Sequence, residues 1–178
     1  EKKTGSAQAL YEYWAGKCRH DLLMGGRRNF KNNMAGIVQD FDSLEIETGR
    51  KPRVGLVGEI LVKYHPTANN RLVELLESEG AEVVVPDLLD FYLYCAYDSR
   101  VDHDFLAGSL LGKLKGSMFI KGVEFYRRHL RQALASSQRF APPSTIEHIA
   151  ALASQHLSLG NLAGEGWLLT GEMLELLQ

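Results

Sequence analysis

The segment at residues 53–86, RVGLVGEILVKYHPTANNRLVELLESEGAEVVVP, constrains the fold more than any other part of the chain. Val54, Leu56 and Val57, with interleaved glycine, form a short apolar run that fits a buried parallel strand, closed by Gly58 and Glu59. Asn69 or Asn70 can cap the next helix, in which Leu72, Val73, Leu75 and Leu76 recur at helical spacing until Gly80 stops it. A second apolar run at 83–85 follows at once. Two strands joined through one helix are most economically connected by a right-handed crossover, so the pattern predicts parallel strands in one sheet. Gly58, Glu59, His65, Thr67, Asn69 and Asn70 then fall at the carboxyl end of the first strand, the edge where open α/β sheets bind ligands.

At 178 residues the chain is long enough for one sizeable core, or for one core plus a helical appendage. Hydrophobic residues at 45% and charged residues at 24% match a globular domain and argue against disorder. A formal net charge of −2 gives no general attraction for nucleic acid or for an anionic membrane, so neither is expected as a partner. No apolar run approaches the ~20 residues needed to span a bilayer. The cysteines, Cys18 and Cys95, lie far apart with no second ligand at metal-binding spacing, which reads as reduced thiols in a cytoplasmic protein and predicts no metal site. The chain begins at Glu1 and stops at Gln178 inside a helical pattern, as a piece of a longer protein would.

Elsewhere the periodicity is mostly helical. Leu10, Trp14, Cys18 and Leu22 mark an amphipathic helix from Ser6 to about Met24, and Met34, Ile37, Val38 and Phe41 a shorter second one. The stretch at 87–105 is too apolar for a surface loop yet has no clean period, and it reads as a buried turn or short helix beside the sheet edge, with Tyr92, Tyr94 and Tyr97 in it. Asp98, Asp102, His103 and Asp104 lack the glycine and closing glutamate of a calcium loop and read as a solvated acidic turn. Phe119, Val123, Tyr126, Leu130 and Leu134 predict a helix at about 117–136 with Arg127, Arg128 and Arg131 on a solvated flank. Ser144 and Glu147 form a capping box for a further helix ending near Leu157.

A second polar constellation lies in SLGNLAGEGWLLTGEMLELL, where glycines precede an apolar helical stripe. Such a loop suits an anion, but it lacks both the GKS or GKT ending of a Walker loop and the GxGxxG fingerprint. No serine sits in a nucleophile elbow. His65, in a loop between Tyr64 and Pro66 at the strand's carboxyl end, is the best histidine candidate for chemistry. Glu165, Trp167 and Thr170 are expected to form the wall opposite them.

Three blocks, RVGLVGEILVKYHPTANN, VVVPDLLDFYLYCAYD and GNLAGEGWLLTGEM, closely resemble segments of the large CoA-substrate-specific enzyme activases, or activase-related proteins, of the 2-hydroxyacyl-CoA dehydratase system of anaerobic metabolism. The resemblance covers the chain from about Lys51 to its end, and residues 1–50 match in helical character alone. It implies a longer protein in which ATP hydrolysis and a 4Fe-4S cluster drive an electron into a dehydratase. Neither cofactor is expected to be held here, since the phosphate loop is missing and a cluster normally takes four thiolates. This piece therefore resembles the dehydratase-like region and not the ATPase.

Together these readings predict an α/β fold: a helical segment at 1–50, then at 51–178 a small parallel sheet, flavodoxin-like or Rossmann-like, flanked by helices, with extra helices as a cap or side layer. The expected function is a substrate-binding or cluster-supporting domain, with Glu59 and His65 as acid and base or as hydrogen-bond partners for a thioester or hydroxyl, and Gly58, Thr67, Asn69, Asn70, Glu165, Trp167 and Thr170 around the substrate. The alternative is a structural or docking module between the ATPase part and its electron-accepting partner, with the basic helix around Arg127, Arg128 and Arg131 as its docking face. Expected partners are other regions of the same polypeptide, a dehydratase or electron-transfer protein, and an acyl-CoA.

Overall fold

The computed structural model describes residues 1–26, 29–161 and 164–178, so Arg27 and Arg28 before the second helix, and Leu162 and Ala163 in the glycine-rich loop, lie outside the described residues. In chain order the elements are α1 (Ser6–Leu23), α2 (Phe30–Asp42), β1 (Arg53–Gly55), α3 (Ile60–Tyr64), α4 (Leu72–Ser78), β2 (Glu82–Val84), α5 (Leu88–Phe105), α6 (Leu110–Leu134), α7 (Ile146–Ser154) and α8 (Gly166–Leu176).

The α/β expectation is overturned. Among the described residues eight helices account for 61% of the chain and strands for 3%, so this is a mostly helical protein with a two-stranded ladder and no sheet-flanked core. The strands do pair in parallel, with Val54 opposite Val83 and Gly55 opposite Val84. Each is only three residues long and none of their residues is fully buried. The reason lies in where the large apolar side chains fall. Parallel sheets persist when both faces are covered by long apolar strands, and here the bulk sits on helices. The ladder ends at Val84, two residues before Pro86, whose ring nitrogen has no N–H to donate.

Glu1–Gly49 and Glu124–Pro143 form one compact unit. Trp14 of α1 is buried against α2 and donates its indole N–H to Asp40 at 3.0 Å. Gly36 permits that approach, since a Cβ there would stand 2.6 Å from the Trp14 ring. Arg139 donates to the carbonyls of Phe41 and Leu44, closing the segment after α2. Of the solvated basic flank predicted on α6, Arg128 is exposed as expected, whereas Arg127 and Arg131 are not free in solvent. Arg127 is 4% exposed, and Glu124 lies 3.6 Å from Arg127 and 2.6 Å from Arg131, so those guanidiniums serve an internal charge cluster.

Arg50–Val123 and Ser144–Gln178 form the second unit. Its core gathers Leu93 and Tyr94 from α5, Ile120 from α6, Ile146, Ile149 and Ala153 from α7, and Trp167 and Leu168 from α8. The segment read as a buried turn is thus an 18-residue helix, capped by Asp87, whose carboxylate accepts the Leu89 N–H at 2.9 Å. The helix predicted at 117–136 starts earlier, at Leu110. Helix α7 is no side layer, because four of its nine residues are buried. Its cap is Thr145 and not Ser144, since the Thr145 hydroxyl accepts the His148 N–H at 3.2 Å. Helices α7 and α8 cross closely at Gly171, where a Cβ would lie 2.5 Å from the Ile149 carbonyl oxygen. Gly55 similarly admits Leu176 of α8 against β1.

Candidate functional site

After β1 the chain was expected to form a long loop. Glu59 instead starts the single-turn helix α3, its carboxylate accepting the N–H groups of Leu61 (3.0 Å) and Val62 (3.3 Å). That cap sets the helix so that Lys63 points inward. Its ammonium donates to both oxygens of Glu172 on α8, at 2.8 and 2.9 Å, with the two side chains 2% and 0% exposed. Burial pushes the Glu172 carboxyl up from its ordinary value, and the hydrogen bond and charge of Lys63 pull it back. Next to it, the Tyr64 hydroxyl donates to the Pro86 carbonyl at 2.6 Å, tying α3 to the end of β2. Burial first, and then the charges of Glu172 and Asp87, push the Tyr64 phenol up, so it remains a donor across the working pH range.

Past α3 the chain folds back on itself. His65 is exposed, and its Nδ1 accepts the Ala68 N–H at 3.2 Å, which places the proton of the neutral ring on Nε2. Asn69 donates to the Lys63 carbonyl at 3.4 Å and accepts the Leu72 N–H at 3.3 Å, so its side chain takes up the first N–H of α4, whose cap position is Arg71. Asn70 and Arg71 both take left-handed backbone geometry, φ 54° and 55°. Two successive side-chain-bearing residues in that region are strained by about 1 kcal/mol or more each. The strain is held by this net of bonds, and it delivers Arg71 to the rim of a cleft.

That cleft, about 380 Å³, is lined by Lys63, Tyr64, Pro66, Asn69, Arg71, Val73, Glu74, Val85 and Pro86. Of the residues chosen from sequence, Asn69 alone lines it. Gly58 and Glu59 lie before α3, and Thr67 and Asn70 are on the outer surface of the turn. The second loop supplies no opposite wall. Trp167 is 0% exposed in the core, its indole donating to Asp98 at 2.9 Å and its ring 4.9 Å from that of Tyr94. Thr170 turns its hydroxyl onto the Gly166 carbonyl of its own helix. Glu165 is half-buried at the start of α8, where its charge is felt by Tyr64, Tyr94 and Glu172.

The residue pair that sequence reading missed is Lys63 with Glu172, 109 positions apart. A signal existed on each side. Lys63 interrupts the apolar run ILVKY, and Glu172 interrupts the stripe LLTGEML. A lone charge inside each of two apolar runs is a reason to look for a buried pair.

The acidic turn at 98–104 is part of helix α5 and no loop. Asp98 faces the core and accepts from Trp167, while Asp104 pairs with Lys113 and with His103. Among the described residues no group of three or more His, Cys, Asp or Glu side chains is placed to hold a metal ion. The two cysteines of the chain, half-buried Cys18 and exposed Cys95, belong to different units and do not make the four-thiolate set of a 4Fe-4S cluster. Among the described residues no helix is long and apolar enough to cross a membrane. The described residues thus form a mostly helical protein with a small cleft beside the parallel ladder in its second unit and a further cavity of about 460 Å³ lined by Val38, Gln39, Asp42 and Ala133 in its first. No family model, curated protein or solved structure matches the chain.

Proposed function

We propose that this chain is a ligand-binding part of a cytoplasmic protein of the 2-hydroxyacyl-CoA dehydratase and activase-related type, and that the cleft between α3, α4 and the end of β2 receives the acyl-thioester end of an acyl-CoA. The cleft itself carries this reading. Its volume of about 380 Å³ lies at the lower end of small-molecule sites, enough for an acyl group and the adjoining thioester and too little for a whole CoA. Its walls mix aliphatic and aromatic surface with a few polar groups, the composition such sites share. The resemblance of the blocks at 53–70 and 83–98 supports the choice of ligand. Glu59 and His65 act by setting the chain around the cleft and not as acid and base. Any cluster or nucleotide of the full system belongs to other regions of the protein or to a dehydratase partner.

A ligand that binds only the folded form raises its stability by about 2.7 kcal/mol at a hundred times Kd. Thermal unfolding of the purified chain with and without an excess of an acyl-CoA tests the reading. A rise in Tm supports it, and no change at millimolar ligand removes it.

A docking module is the second reading, favoured by α6. Leu110, Leu111, Leu114 and Met118 fall on one face of that helix and are 55–69% exposed. This apolar face replaces the basic flank at 127–131 as the surface to test for docking.

A further inference from the structure

We infer that the cleft beside Tyr64 selects an uncharged, apolar acyl group and discriminates against one that ends in a carboxylate. The inference rests on the acyl-CoA reading above and names the class of acyl group. Lys63 is the cation to which an acidic ligand would first be assigned, because it lines the cleft. Its ammonium is already held by both Glu172 oxygens at 2.8 and 2.9 Å, and its side chain is 2% exposed. A ligand carboxylate would have to displace Glu172, leaving that acid buried without its cation, or remain unpaired itself. Either outcome is strongly unfavourable in a desolvated place.

The other donors at the cleft are engaged as well. The Tyr64 hydroxyl gives its proton to the Pro86 carbonyl, and the Asn69 amide donates to the Lys63 carbonyl. Arg71 stands at the mouth, 74% exposed and 3.6 Å from Glu74, so the charge it offers meets the solvent side of a bound molecule. The surface left for the buried end of a ligand is Pro66, Val73, Val85, Pro86 and the Tyr64 ring. Carbon meets carbon there.

Calorimetric titration of the purified chain with pentanoyl-CoA, glutaryl-CoA, butyryl-CoA and free CoA tests the inference. Pentanoyl-CoA and glutaryl-CoA differ by a methyl against a carboxylate at the same place, so their ratio reads the cleft directly. Pentanoyl-CoA is expected to bind at least about tenfold more tightly than glutaryl-CoA, and about fourfold more tightly than butyryl-CoA, the value of one buried methylene. Substituting Val73→Thr, nearly isosteric and half-buried, should narrow both ratios. Equal or tighter binding of glutaryl-CoA would overturn the inference while leaving the acyl-CoA reading intact. Binding of free CoA as tight as any thioester would also overturn it, and no binding by any of the four would remove both.

Discussion

The ammonium of Lys63 and the carboxylate of Glu172 meet through two hydrogen bonds, 2.8 and 2.9 Å, in a place closed to solvent on both sides. The pair joins the single-turn helix after β1 to the last helix of the chain, and it sets the electrical character of the cleft. Removing one partner leaves the other charged and buried. Glu172→Leu or Lys63→Met alone is expected to lower stability by about 3–5 kcal/mol. Lys63→Met with Glu172→Leu, which removes both charges, is expected to recover most of that loss. Urea denaturation of the two single variants and the double variant measures the coupling. Additive losses would contradict it.

How much of this was legible in the sequence depends on the range of each interaction. Helices α1 and α2 and the parallel pairing of β1 with β2 follow from local spacing, and the structure has them near the expected residues. Helix α5 escaped because its apolar residues surround it: Leu93 and Tyr94 are buried in the core while Leu88 and Tyr92 point outward, 41% and 52% exposed. No single-face period survives such a pattern. The α/β reading failed because two short apolar runs were extrapolated to a sheet, when the side chains that fill the core belong to four helices. Trp167 was placed at the ligand for a related reason. A glycine-rich approach to an aromatic residue looks the same in sequence whether the ring lines a site or fills a core.

Glycine positions give opposite results depending on what surrounds them. Gly171→Ala would push a methyl against the Ile149 backbone at the α7–α8 crossing and is expected to destabilise by about 1–3 kcal/mol. Gly122→Ala, in the interior of α6 with open space beside it, is expected to stabilise by about 0.5–1 kcal/mol. Thermal unfolding of the two variants beside the wild type checks both signs.

Stability should also depend on pH through Asp98. Burial raises its carboxyl above the ordinary aspartate range, opposed by the hydrogen bond from Trp167, and Asp102 one turn on adds to the rise. A raised acid binds its proton more tightly in the folded chain than in the unfolded one. The stabilisation is therefore full below the unfolded value and is lost as pH climbs through the folded value. Asp98→Asn is expected to flatten that part of the profile, measured by urea denaturation at stepped pH. An unchanged slope would contradict the assignment.

Glu59 carries a structural duty that predicts how its variant behaves. Glu59→Ala removes the cap from α3 and is expected to cost about 1 kcal/mol of stability. It should also weaken acyl-CoA binding, since Lys63, Tyr64 and Asn69 are set by that turn. Glu59→Asp or Glu59→Ser, each able to cap, should restore much of both. Loss of binding with all three, at full stability, would instead point to direct contact between the Glu59 carboxylate and the ligand.

The most direct measurement is a titration of the nitrogen-15-labelled chain with pentanoyl-CoA, followed by amide chemical shifts. The largest changes are expected on residues 63–74 and 85 around the cleft, with the amides of α1 and α2 unmoved. Changes centred on α6 near Leu114 and Met118, or none at saturating ligand, would contradict the acyl-CoA reading.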